Sequence, residues 1–162
     1  MKKLLVQFCL TLIIFIGSMG VSVSGDFQKG TAAYKSGDYA TALREWDPLA
    51  KQGDTDAMFN IGLMYDKGQG VPEDNMIAVQ WYRIAAWWGH ASAQGNLSEH
   101  YALGAGVKRN YARAYMWGNI AATNGNKTGA KWRDFVEKKM NPAEIAEAQK
   151  RVREYCKKTK RC

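Results

Sequence analysis

Histidine is nearly absent from this chain of 162 residues, with only two, and cysteine is scarce, with three. Neither His90 nor His100 has a cysteine or carboxylate at metal-ligand spacing, and structural zinc takes four ligands, so a metal site is not expected. The sequence has no Gly-x-Ser-x-Gly motif and no phosphate-cradling loop. Acidic pairs such as Asp54 with Asp56 and Glu144 with Glu147 sit where helix starts favour negative charge. No catalytic residue, cofactor or nucleic-acid partner is therefore assigned, and the chain reads as a non-enzyme. A long apolar run is missing too. The stretch 4–16, broken only by Gln7 and Thr11, is strongly apolar over nearer 13 residues than the roughly 20 a membrane span needs.

That short run has another use. Lys2 and Lys3 precede it and small residues follow it, with Val23-Ser24-Gly25 before a cut that would leave Asp26 at the mature end. This is the layout of a secretory leader over 1–25, so the chain is expected to cross the inner membrane to the periplasm or the exterior. Cys9 leaves with the leader. Cys156 and Cys162 remain as an even pair bound for an oxidising compartment, where a disulfide between them is expected. Charge is uneven along what is left. Residues 26–126 carry 9 basic and 10 acidic side chains, whereas 127–162 carry 12 basic and 5 acidic. The basic end is either a solvated helix face or a contact for an anionic envelope component.

Self-similarity is the strongest positive signal, because 57–89 returns at an offset of 36 residues. Asn60 recurs as Asn96, Tyr65 as Tyr101, Gly68 and Gly70 as Gly104 and Gly106, Ala78 as Ala114, and Trp81 as Trp117. An earlier unit aligns with a shorter loop, giving three units at 26–53, 54–89 and 90–125. Apolar residues three and four apart, such as Ile61, Met64 and Tyr65 and then Ala78, Trp81 and Ala85, predict two helices per unit. The loop glycines break them, Asp74 caps the second helix, and Gly89 and Gly125 turn the chain onward. Beyond them, 127–162 predicts two more helices, one over about 128–140 and one beginning after Asn141-Pro142. With an apolar side and a wet, cationic side, they suit a terminal cap.

These residues resemble the Sel1-like repeat, a relative of the tetratricopeptide repeat with a longer loop. Its most specific stretch here is Asn60-Ile61-Gly62-Leu63-Met64-Tyr65, then Gly68-Gln69-Gly70-Val71, Asp74, Ala78, Trp81-Tyr82 and Ala85-Ala86. The third unit departs from it, with Ser98 in place of Gly62 and Gly118 in place of Tyr82. The resemblance implies an all-α fold, a right-handed α/α solenoid of helix-turn-helix repeats closed by a C-terminal capping helix pair. It also implies a monomeric scaffold that binds a protein or peptide through the concave side lined by the first helix of each unit. Carried over, the groove positions are Phe59, Asn60, Leu63 and Lys67, then Asn96, Glu99 and Leu103. Asn60 and Asn96 are the foremost of these: an amide both donates and accepts, which suits either gripping an extended peptide backbone or satisfying the preceding helix or loop. Trp87 and Trp88 replace polar residues of the other units and form either an exposed aromatic anchor or local packing. A second reading is a cell-wall or carbohydrate-binding protein, with or without hydrolytic activity, in which these indoles stack on sugar rings.

Overall fold

A computed structural model describes residues 24–161. Eight α-helices follow one another among them, with no strand: α1 (Phe27–Lys35), α2 (Tyr39–Lys51), α3 (Thr55–Lys67), α4 (Asn75–Trp87), α5 (Ala91–Leu103), α6 (Tyr111–Thr123), α7 (Lys127–Glu137) and α8 (Pro142–Thr159). The expected leader and Cys162 lie outside the described residues.

Each helix starts on a side chain that accepts an orphan backbone N–H of the first turn. Asp26, Asp38, Asp54 and Asp74 do this for α1 to α4, His90 for α5, and Asn110, Asn126 and Asn141 for α6 to α8. Asn141 and Glu144 form a reciprocal capping box around Pro142. The interior repeats with the sequence: Ala42, Ala78 and Ala114 are each fully buried, as are Ala57 and Ala93. Alanine at these places brings helix backbones together, and Trp46, Ile61, Tyr82, Leu97 and Ile120 fill the space beside them.

The loop glycines do more than punctuate. Gly68 adopts left-handed φ (62°) as the α3 cap. A Cβ on Gly70 would come within 2.4 Å of Tyr39 Cβ, and one on Gly106 within 2.2 Å of the Asn75 carbonyl. Tyr39 and Asn75 open α2 and α4, and they are themselves 36 residues apart. Each loop therefore seats directly on the first turn of the second helix of the unit before it, an approach open only to glycine.

The C-terminal pair differs from its expected outline. The first helix ends at Glu137, three residues early, and α8 continues past Cys156 to Thr159 before Lys160 turns left-handed (φ 57°). Instead of covering the third unit alone, α8 crosses α6 and reaches back to α4. Tyr155 sits edge-on to both Trp87 and Trp117, with centroids 5.5 and 5.4 Å away, and its hydroxyl donates to the carbonyls of Ala86 and Trp87, each at 3.2 Å.

Candidate functional site

The expected groove residues all lie on α3 and α5, but they are not equally free. Lys67 and Leu103 are exposed, while Asn60, Leu63, Asn96 and Glu99 are half-buried. Phe59, also half-buried, stacks its ring on His90 at 4.5 Å and lies 5.9 Å from the ring of Tyr82. The Asn96 amide faces the Tyr82 hydroxyl. Asn60 makes no side-chain hydrogen bond among the described residues, leaving its amide available on α3.

Behind this face runs a polar seam that the sequence reading missed. His90 Nε2 stands 2.9 Å from Asp56 Oδ1, and His100 Nε2 stands 3.2 Å from Asp66 Oδ1. Both pairs join residues 34 apart, so each ties one unit to the next. The signal was in the sequence, but a search at metal-ligand spacing cannot find partners nearly a full repeat away. The two imidazoles then behave differently. His90 Nδ1 accepts the Ala93 N–H, which requires an unprotonated nitrogen, and burial lowers its pKa against the pull of Asp56. His100 Nδ1 instead faces the Ala105 carbonyl at 3.0 Å. With an acceptor at each nitrogen, both positions favour a proton. Burial opposes the charge, but the hydrogen bonds to Asp66 and Ala105 outweigh it and raise the pKa. Burial likewise opposes charge on Asp66, yet hydrogen bonds from His100 and Tyr82 hold its carboxyl below the usual range. Burial and the neighbouring Asp66 keep the Tyr82 phenol protonated. Each histidine thus meets one carboxylate, and among the described residues no three His, Cys, Asp or Glu side chains gather to hold a metal.

Trp87 ends α4 and Trp88 is its C-cap, and both remain exposed, at 39% and 55%. They border a groove of about 750 Å³ between α4, α5, α6 and α8, lined also by Ile84, Tyr101, Met116, Trp117 and Tyr155, with Arg83, Arg113, Arg151 and Lys158 around it. Lys158 Nζ lies 5.2 Å from the Trp87 ring centre and the Arg161 guanidinium 4.8 Å from that of Trp88. The basic C-terminal segment is therefore partly folded onto the tryptophans.

Comparison with known proteins agrees with this architecture. The family model for the Sel1 repeat matches residues 55–86 and 91–126. Among solved structures, c5321, a protective antigen of uropathogenic Escherichia coli displaying an SLR fold, superposes with a TM-score of 0.75 at 30% identity, covering 80% of this chain and 29% of that one. A Sel1 repeat protein from Oxalobacter formigenes gives a TM-score of 0.66, also at 30% identity, covering 80% and 56%. DAP3-binding cell death enhancer 1 of Rattus norvegicus is 34% identical over 78 residues, which is 48% of this chain and 15% of that protein. The chain spans well under two thirds of each of these relatives.

Proposed function

Because the chain belongs to the Sel1-like repeat family, whose members are generally protein-interaction scaffolds, we propose that it is a non-catalytic scaffold of the periplasm or cell envelope that holds a protein or peptide partner. The observation that carries this reading is the free amide of Asn60, half-buried on α3 one repeat before Asn96 on α5. Two amides set at the period of the stack suit an extended backbone, which offers a carbonyl and an N–H at every residue. Lys67, Glu99 and Leu103 flank them with charge and apolar surface. The envelope location is supported by the basic start and short apolar run of 1–25.

A disulfide between Cys156 and Cys162 belongs to the same reading. Lys160 adopts left-handed φ (57°) with its N–H on the Cys156 carbonyl at 2.8 Å, so α8 ends after Cys156, as a loop closed on that cysteine requires. A monomer two mass units lighter than its reduced form supports the loop, and free thiols or a linked dimer exclude it. The carbohydrate reading draws on the exposed indoles, but a cation already covers one face of each, leaving less flat surface for a sugar.

Pull-down from an envelope extract tests the scaffold, comparing the natural chain with the Asn60→Ala/Asn96→Ala variant. A defined protein partner lost in the variant is the expected result. Retention on purified cell wall that depends on Trp87 and Trp88, with no protein retained, contradicts it.

A further inference from the structure

The groove bordered by α4, α5, α6 and α8 is lined by none of the α3 and α5 residues expected to grip a peptide, and its chemistry is one-sided. Its apolar wall is left open to water: Ile84 is 44% exposed and Trp88 55%. Ile84, Trp87 and Trp88 are exposed apolar side chains lining one groove with a polar rim, the arrangement found at interaction sites. Its rim is cationic, with Glu154 the single acid that lines it. Arg151 is paired with Glu147, but no carboxylate of the described residues forms an ion pair with Arg83, Arg113 or Lys158. Arg113 is held in place as well, donating to the Tyr101 hydroxyl at 3.0 Å with its guanidinium 5.5 Å from that ring centre. A guanidinium fixed in advance loses little freedom when it meets a carboxylate.

We propose that this groove docks an acidic peptide segment of a partner protein, with one bulky apolar side chain on the aromatic wall and carboxylates against the rim. It rests on the scaffold reading only in taking the occupant to be a protein. Three features fix the chemistry. A neutral apolar ligand would cover the rim cations without pairing them, at a desolvation cost nothing repays. A basic segment would be repelled, whereas acidic groups match the potential of the rim. The volume of about 750 Å³ falls within the range of ordinary ligand clefts, room for a large side chain and its neighbours. An anionic bilayer matches the charge but not the shape, since a flat surface resting on the rim would leave the groove wall behind it unfilled.

Panning a random 12-residue peptide display library against the purified chain tests this. The enriched peptides should combine Asp or Glu with an aromatic or large aliphatic residue. Binding of a synthetic enriched peptide should weaken about tenfold or more in the Arg83→Glu/Lys158→Glu variant. It should also weaken as sodium chloride is raised. Arg83 and Lys158 are exposed, so that variant is expected to melt with the parent, and a melting curve verifies it. The Asn60→Ala/Asn96→Ala variant should bind the peptide normally, which keeps failure of the groove distinct from failure of the scaffold reading. Enrichment of basic or neutral peptides overturns the proposal. So does peptide binding indifferent to the charge reversals, or flotation with phosphatidylglycerol vesicles when no peptide is enriched.

Discussion

The junction between the second and third units and the junction between the third unit and α7 use the same three positions in opposite ways. At the first, Phe59, Tyr82 and His90 meet: two rings and a histidine fill the gap between units and carry a polar seam through it. Thirty-six residues on, these positions hold Gly95, Gly118 and Asn126. There the gap is closed by backbone. A Cβ on Gly95 would lie 2.5 Å from Asn126 Oδ1, and one on Gly118 2.7 Å from the Gly129 carbonyl and 2.8 Å from Ser98 Oγ. One on Gly129 would lie 2.3 Å from Ala121 Cβ. The departures of the third unit from the repeat pattern are thus not loosened packing. They exchange side-chain filling for close helix approach, and Ser98 uses its place to donate to the Ala114 carbonyl at 2.7 Å.

Removing the partner of the glycine junction should have the largest effect. Deleting 127–162 uncovers Gly95, Gly118 and Ala121 together and frees Trp117 from Tyr155, so the shortened chain is expected to lose solubility and melt far below the parent. A monomeric fragment with an unchanged melting temperature, by sedimentation and calorimetry, would deny α7 and α8 a capping role.

Cutting down the ring-filled junction comes next. Tyr82→Ala should cost roughly 3–5 kcal/mol in denaturant unfolding, since the ring is fully buried. Tyr82→Phe keeps the ring and loses one hydrogen bond to the Asp66 carboxylate, for roughly 1.5–3 kcal/mol. Equal losses would mean that the hydroxyl, not the filling, sets that junction. Gly118→Ala probes the other side by enlarging it, and should cost about 1–3 kcal/mol through overpacking against backbone. The same change at the exposed Gly53, where a Cβ meets nothing within 4 Å, carries only the penalty of its positive φ (99°).

Much of this was legible, and the missing part has a common cause. Helix pairs, N-caps at Asp54 and Asp74, and the buried alanines follow from local spacing, because each depends on residues within a few turns. The histidine pairs depend on partners 34 residues away, and the α8 crossing on Tyr155 meeting a carbonyl 69 residues earlier. Nothing local encodes either. Phe59 illustrates the same limit. Position on the first helix put it on the groove, and local spacing does not show that its ring also stacks on His90, which caps α5.

Acidity offers a gentler way to separate the two histidines. The raised pKa of His100 gives stabilisation that is present below the ordinary imidazole value of about 6.5 and lost as pH rises through the folded value. The lowered pKa of Asp66 gives stabilisation lost only as pH falls below the carboxylate range. His90 has the opposite sign, since its lowered pKa favours the neutral ring and its contribution is lost as pH falls. The destabilisation by His100→Gln should therefore be greater at pH 5.5 than at pH 9, measured by urea unfolding. The smallest effect is expected for His90→Asn, which installs the N-cap used at Asn126; loss of the Phe59 stack and the Asp56 contact should cost about 1 kcal/mol or less.

The glycine-closed junction should join α7 to the same cooperative unit as the repeats. Native-state hydrogen exchange on the intact chain reads this helix by helix. The slowest amides of α7 are predicted to exchange with the same free energy as those of α5 and α6, opening only when the whole stack opens. Exchange in α7 and α8 orders of magnitude faster, with α3 to α6 still protected, would contradict it.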